Sequence, residues 1–219
     1  MSLKKTFANA LFPHPVPSLE KISWSARFNA WRAANAGIPV FAQRAGFYDH
    51  VGALISGQPM DYLEFGVFRG ASLKHWISLN AHVGSRFFGF DTFSGLPEKW
   101  LDFEQGAFDT GGVLPDICDP RVQYVKGIFQ DTLYGFLDDF APRPHMVIHV
   151  DSDLFSSALF VLCAMDRFVK PGTLILFDEF ASLLDEFRAW HDYLLAFRRV
   201  ATALARTDGF NQVAFRIES

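Results

Sequence analysis

Two short stretches carry residue types that could do chemistry: H-V-D-S-D-L-F at 149–155 and L-F-D-E-F at 176–180. Each follows or closes an apolar run that reads as a buried strand, so Asp151, Asp178 and Glu179 are expected at strand ends. If the two strands are neighbours, three carboxylates meet at one rim, with no basic residue near them in sequence to neutralise them. Like charges that close repel unless a cation sits between them. A hard divalent ion such as Mg²⁺ accepts two or three carboxylates together with water and a substrate oxygen. The alternative is that the acids diverge as helix caps and solvated loop residues. His149 stands two positions before Asp151 and shares its face if the strand is regular. It is then either a proton acceptor at the site or a buried strand histidine bonded to a neighbour.

A second constellation lies earlier, in D-Y-L-E-F-G-V-F-R-G at 61–70, an apolar strand broken by Gly66 and Gly70 before a helix. Glycines let backbone approach a ligand, and helix N–H groups can meet a negative group there. A dinucleotide fingerprint, G-x-G-x-x-G, would need glycine where Phe68 stands, which counts against a nicotinamide oxidoreductase. Taken alone, the glycine pair is equally a tight strand-to-helix turn. Glu64 is placed to orient this loop or a ligand-bound water. The next strand, F-F-G-F-D, ends in Asp91, where open α/β folds hold an acid against ribose hydroxyls. Asp91, with Thr92 beside it, therefore suits an adenosine-type ligand, unless Asp91 merely caps the turn at 92–96. In G-I-F-Q-D-T-L, Gln130 and Asp131 begin a helix and could read an adenine edge; Asp131 also fits a first-turn acid favoured by the helix dipole.

The elements that must position these groups alternate. Strands are expected at 62–67, 86–90, 122–125, 146–150 and 173–177, separated by helices at 71–80, 130–140, 156–169 and 184–200. Alternation of this kind implies a parallel sheet covered on both faces. Segments 201–207 and 212–217, joined at Asp208-Gly209, read as an antiparallel pair at a sheet edge. Upstream, Pro13, Pro15 and Pro17 suggest an irregular stretch to about residue 20. Helices follow at 22–34, with Ser23 or Ser25 as cap, and at 44–55. The fold class is α/β: a doubly wound, mostly parallel seven-stranded sheet with an antiparallel C-terminal hairpin and a helical N-terminal arm. The arm is expected over 1–58 and the ligand-binding domain over 59–219. Aromatic residues Phe7, Phe12, Trp24, Phe28 and Trp31 of the arm suit a lid, a twin subunit in a homodimer, or ordinary core packing. The stretch 101–120 reads as a long loop able to enclose a substrate.

Composition removes other classes. Of the 219 residues, 50% are hydrophobic and 20% charged, enough to bury a sizeable core. A net charge of −4 with scattered basic residues leaves no footprint for nucleic acid or an anionic membrane surface. Cys118 and Cys163 form neither a metal-ligand spacing nor a disulfide framework. With no apolar signal region in M-S-L-K-K-T-F-A-N-A and no apolar run long enough to span a bilayer, the expected location is the cytoplasm.

Five blocks in order, L-E-F-G-V-F-R-G-A-S, G-F-D-T-F-S-G-L-P-E, V-K-G-I-F-Q-D-T-L, H-V-D-S-D-L-F-S-S and P-G-T-L-I-L-F-D-E-F, cover about residues 60–180. Together they resemble the macrocin O-methyltransferase type of class I S-adenosylmethionine-dependent methyltransferase. The resemblance implies a seven-strand methyltransferase fold and S-adenosylmethionine at Gly66 and Asp91. It further implies Mg²⁺ on Asp151, Asp178 and Glu179, with Asp151 also able to act as base. The family usually has a second aspartate where Glu179 stands, and a glycine or alanine and a tyrosine where this chain has Ser152 and Phe155. The expected reaction is Mg²⁺-dependent O-methylation of a small molecule presenting neighbouring hydroxyls, a sugar, polyketide or other natural-product diol. The proton would go to Asp151 or His149. The rivals are a metal-free methyltransferase and a non-catalytic nucleoside-binding or assembly module.

Overall fold

The computed structural model describes residues 17–219, with side chains from residue 19 onward; Phe7, Phe12, Pro13 and Pro15 lie outside the described residues. The chain divides into two units, Met1–Ala36 and Gly37–Ser219. This division groups the helix that begins at Arg44 with the sheet rather than with the arm. In the first unit, α1 (Pro17–Ala34) begins earlier than the apolar spacing indicates. Proline is compatible with a first helical turn, because its fixed φ suits the helix and the N–H it lacks would go unused there. Ser23 and Ser25 consequently lie inside the helix instead of capping it. Within α1, the Phe28 and Trp31 rings stack with planes 14° apart.

In the second unit eight strands form one sheet: β1 (Val40–Phe41), β2 (Met60–Phe65), β3 (Arg86–Asp91), β4 (Val122–Lys126), β5 (His145–Val150), β6 (Leu174–Phe177), β7 (Ala201–Thr207) and β8 (Val213–Ile217). Their order is β1-β7-β8-β6-β5-β2-β3-β4. Only β8 runs antiparallel to its neighbours, β6 and β7. The strand beyond the expected seven is β1, whose two residues pair with Arg206 and Thr207; two residues are too few to show a period of two. Helices α2 (Arg44–Ala53), α3 (Ala71–Leu79), α4 (Phe129–Asp138), α5 (Phe155–Met165) and α6 (Glu186–Phe197) make up the rest.

Every residue of β2 and of β6 is buried, which is why neither alternates; β6 is apolar throughout, while β2 carries the buried acids Asp61 and Glu64. One part of the core gathers Phe47, Val51, Tyr62, Trp76, Phe87 and Leu176, with Tyr62 and Trp76 stacked at 5.0 Å. Phe177, Phe180, Trp190 and Phe215 form another aromatic group. Much of the phenylalanine content is thus spent on core packing.

From β2 the chain builds outward through β3 and β4 on one side, then returns to place β5 and β6 on the other. Ligand crevices form where the winding direction reverses, beyond the carboxyl ends of the strands. Backbone bonds hold those ends in one row: Gly66 N–H donates to Phe90 O at 2.9 Å, Asp151 N–H to Phe65 O at 2.9 Å, and Asp178 N–H to Val150 O at 3.1 Å. Gly66 has φ +99°, and a Cβ there would stand 1.7 Å from the Asp151 carbonyl oxygen. Both the backbone angle and the contact require glycine. Gly66→Ala is expected to destabilise the protein by about 2–4 kcal/mol in denaturant unfolding, because the obstacle is backbone and cannot swing aside; a loss below about 0.5 kcal/mol would refute this close approach.

Candidate functional site

A cavity of about 390 Å³ opens at the row of strand ends, a size suited to small-molecule sites. Of the residues singled out in the sequence, Gly66, Asp91, Thr92, Gln130, Asp151, Asp178 and Glu179 line it. Glu64, Gly70, Asp131 and His149 are absent from that wall. Gly70 forms the left-handed N-cap of α3 under Pro115, and Asp131 is exposed in the first turn of α4. Glu64 and His149 are fully buried.

The acids converge because β5 and β6 are adjacent, with Val150 opposite Phe177. Ligand atoms of His149, Asp151 and Asp178 all lie within 4.8 Å of one another, a spacing one cation could bridge. Glu179, expected to complete the set, is outside this cluster, half-buried on the cavity wall. The alternation of a strand explains the exchange: His149 and Asp151 sit two residues apart and share a face, whereas Asp178 and Glu179 are consecutive and point differently. Burial and the charge of Asp178 push the Asp151 carboxyl well above the usual carboxylate range. Burial likewise raises Asp178, against the opposing pull of Arg44. Asp153, whose backbone is left-handed at φ 63°, is raised to about 7 by burial and Glu179.

His149 is pushed the other way, down to about 3, by burial and then by the nearby Arg44 charge. It stays neutral and behind the wall, a poor acceptor for a substrate proton. Tyr62 Oη lies 2.6 Å from its Nδ1. Its Nε2 has no hydrogen-bond partner among the described residues and faces Asp178 Oδ1 at 3.9 Å. An orphaned ring nitrogen beside two carboxylates is the donor set of a ligating histidine. Glu64 accepts from Ser72 Oγ and is raised to about 8, chiefly by burial.

On the other side of the cavity, both Asp91 oxygens are engaged by backbone. Oδ2 accepts from the N–H groups of Val67 and Phe68 at 2.8 Å each, and Oδ1 from Phe93 N–H at 2.7 Å. The carboxylate therefore braces the glycine loop as well as its own turn. A carboxylate oxygen accepts two hydrogen bonds, so Oδ1 retains capacity for one more donor. Ile128, Phe129 and Gln130, at the start of α4, line the same side. The segment after β3 adds aromatic surface: Trp100 and Phe103 stack with planes 12° apart, and Phe108 touches both Phe103 and Phe68. All four rings line the cavity, and Trp100 Nε1–H donates to Asp185 Oδ2 at 3.2 Å.

Two residues escaped the sequence reading. Arg44, the first residue of α2, places Nη2 2.5 Å from Asp178 Oδ2, far away in sequence from the acids it meets. Glu186, fully buried at the start of α6, accepts from Ser152 N–H at 3.4 Å and from Glu179 N–H at 2.9 Å. It ties together the loops that carry Asp151 and Asp178. A lone glutamate opening a helix gives no sequence signal beyond a favourable dipole position.

A family profile described as "Methyltransferase domain" matches residues 63–180. A search of curated proteins finds no match. Among solved structures, the chain resembles CalS11, a calicheamicin methyltransferase, with 21% identity and a TM-score of 0.63, covering 93% of this chain and 94% of that one. It resembles the O-methyltransferase NovP with 19% identity and a TM-score of 0.59, covering 80% of each chain. A cmcI Mg-SAM structure is similar at 15% identity and a TM-score of 0.50, covering 81% of this chain and 73% of that one. At these identities the structural likeness is one of fold.

The buried Glu64 generates a pH prediction. Its folded value of about 8 lies above the ordinary 4.5, so the folded state holds a proton that the unfolded chain releases. That contribution to stability is complete below about 4.5 and is lost as pH rises toward 8. Glu64→Gln removes the dependence. Its unfolding free energy should rise relative to wild type between pH 5 and pH 8, by an amount on the order of 2–5 kcal/mol at the upper end, read by denaturant unfolding at each pH; a difference that stays flat with pH would exclude a protonated Glu64.

Proposed function

The chain belongs to the methyltransferase domain family and is on that ground an S-adenosylmethionine-dependent methyltransferase; from that premise we propose that it methylates a hydroxyl of a small molecule, with a divalent cation held at its acidic centre. The observation that carries the reading is the meeting of His149, Asp151 and Asp178 within 4.8 Å, where Asp151 and Asp178 line the same cavity as Gly66, Asp91 and Gln130, and His149 stands behind them. The donor set fits a cation: two carboxylates raised chiefly by burial, Asp151 also by the charge of Asp178, and an imidazole nitrogen with no hydrogen-bond partner among the described residues. Asp151 and Asp178 would hold it, with His149 or Glu179 as third ligand; Mg²⁺ suits the carboxylates and imidazole less so. When bound, such an ion supplies positive charge that lowers the pKa of an acceptor hydroxyl. When bound, S-adenosylmethionine supplies the sulfonium methyl group.

The rest is done by the chain. Oδ1 of Asp91 would accept from a ribose hydroxyl, and Gln130, on the same cavity wall, would meet an adenine edge. The rings of Phe68, Trp100, Phe103 and Phe108 give the cavity an apolar wall against which the carbon skeleton of an acceptor would pack. Asp151, the raised carboxylate open to the cavity, is the residue placed to receive the acceptor's proton. Acceptors with two neighbouring hydroxyls fit best, since one can be anchored while its neighbour reacts. A metal-free reaction is the second reading, favoured by one observation: Arg44 already pairs with Asp178.

Calorimetric titration with S-adenosylmethionine and NAD⁺, each with and without Mg²⁺, tests the reading. S-adenosylmethionine should bind and NAD⁺ should not; Asp178→Ala should lose the metal heat and, on a panel of vicinal diols, about 100-fold or more in kcat/KM. Full turnover after chelation would move the reading to the metal-free reaction. Absence of S-adenosylmethionine binding would refute the roles given to Asp91 and Gln130.

A further inference from the structure

Arg44 is the cation that the acidic centre brings for itself. Its Nη2 lies 2.5 Å from Asp178 Oδ2 and 3.8 Å from Glu179 Oε1, and Arg44 lines the cavity beside Asp151 and Asp153. The two ends of the ion pair differ in burial: the Asp178 side chain is 2% exposed, the Arg44 side chain 52%. The carboxylate is fixed from behind, where Tyr48 Oη–H donates to its Oδ1 at 3.3 Å and Gln212 Nε2–H donates to the Asp178 carbonyl oxygen at 2.9 Å. The arginine instead reaches in from the solvent side on a long flexible stem. Leaving costs it little, because its guanidinium regains water on departure. The carboxylate it leaves would be buried and unpaired, which is costly unless another cation arrives.

We infer that Arg44 is a resident counter-cation, one that holds Asp178 when no divalent ion is bound and competes with such an ion for the same carboxylate. The inference rests on the divalent-cation reading given above. Its physical content is that guanidinium and metal ion cannot both sit at full strength on one carboxylate. A unit positive charge a few ångström from a divalent ion opposes it by an amount that a partly screened site does not remove. In this account Arg44 sets the concentration at which metal binds and keeps the empty centre from collapsing or gathering protons. Arg44 lies before the matched stretch 63–180, in the N-terminal part of the sheet unit.

The test uses Mn²⁺ as a paramagnetic probe of the metal site, read by electron spin resonance and calorimetry on the full chain. Wild type, Arg44→Gln, Arg44→Lys and Asp178→Asn are compared, each first checked for S-adenosylmethionine binding. Arg44→Gln should bind Mn²⁺ at least about tenfold more tightly than wild type, having lost the opposing charge. It should also melt at a lower temperature without metal and recover more on adding Mn²⁺ than wild type does. Arg44→Lys, which keeps the charge but not the planar fork, should fall between the two and serves as the second variant if Arg44→Gln does not fold. Equal or weaker Mn²⁺ affinity in the Arg44 variants, with wild type binding and Asp178→Asn not binding, overturns the inference and leaves the metal reading standing. Absence of Mn²⁺ binding in all four proteins, with S-adenosylmethionine binding intact, overturns both.

Discussion

Several carboxylates forced together out of water are the constraint on which the rest of this structure depends. Burial raises all three of Asp151, Asp178 and Glu186; neighbouring carboxylates raise Asp151 and Glu186 further, whereas Arg44 and Tyr48 pull Asp178 back. An arrangement of this kind works against folding unless it is compensated, because an uncompensated buried charge costs several kcal/mol. Compensation comes from several directions: the Arg44 guanidinium, the Tyr48 hydroxyl and the backbone N–H groups that meet Glu186. Strongly shifted acids gathered in a cleft are the kind of arrangement found at functional sites.

Precision at that corner derives from the sheet. Gly66 lets β2 approach β5 so closely that no side chain would fit between them. Parallel pairing then fixes the stagger of Gly66, Asp91, Asp151 and Asp178 along one edge. Beneath them, Tyr62 holds His149 while stacking on Trp76, so the orientation of the imidazole is set by the close-packed core. Core packing resists small displacements, and that rigidity passes to the ligand atoms above it.

The opposite wall obeys a different logic. Trp100, Phe103, Phe108 and Phe68 belong to connecting segments, tied to the frame by individual polar contacts such as Trp100 to Asp185, Lys126 to the Gly112 carbonyl and Phe68 N–H to Asp91. Segments of this kind are ordinarily the more mobile part of a site. A rigid acidic floor under an aromatic cover separates the group that must be positioned from the surface that must admit and enclose an acceptor.

Much of this was legible in the sequence. The alternation of mostly apolar strands with amphipathic helices determined the α/β class, since a strand buried on both faces is apolar at most positions. Gly66, Asp91, Asp151 and Asp178 stood out because strand ends in such a sheet must carry the ligand contacts. What the sequence left undecided involves partners remote along the chain. Arg44 reaches Asp178 only because α2 begins beside the end of β6, and Glu186 clamps two loops whose closeness is a property of the folded sheet. His149 meets Asp151 and Asp178 while Glu179 lies on the cavity wall beside them, because side-chain direction at a strand end depends on local backbone geometry. Local pattern determined which elements form and which residues end them; tertiary structure decided which charges meet, because burial and Coulombic pairing depend on distance in space and not on separation along the chain.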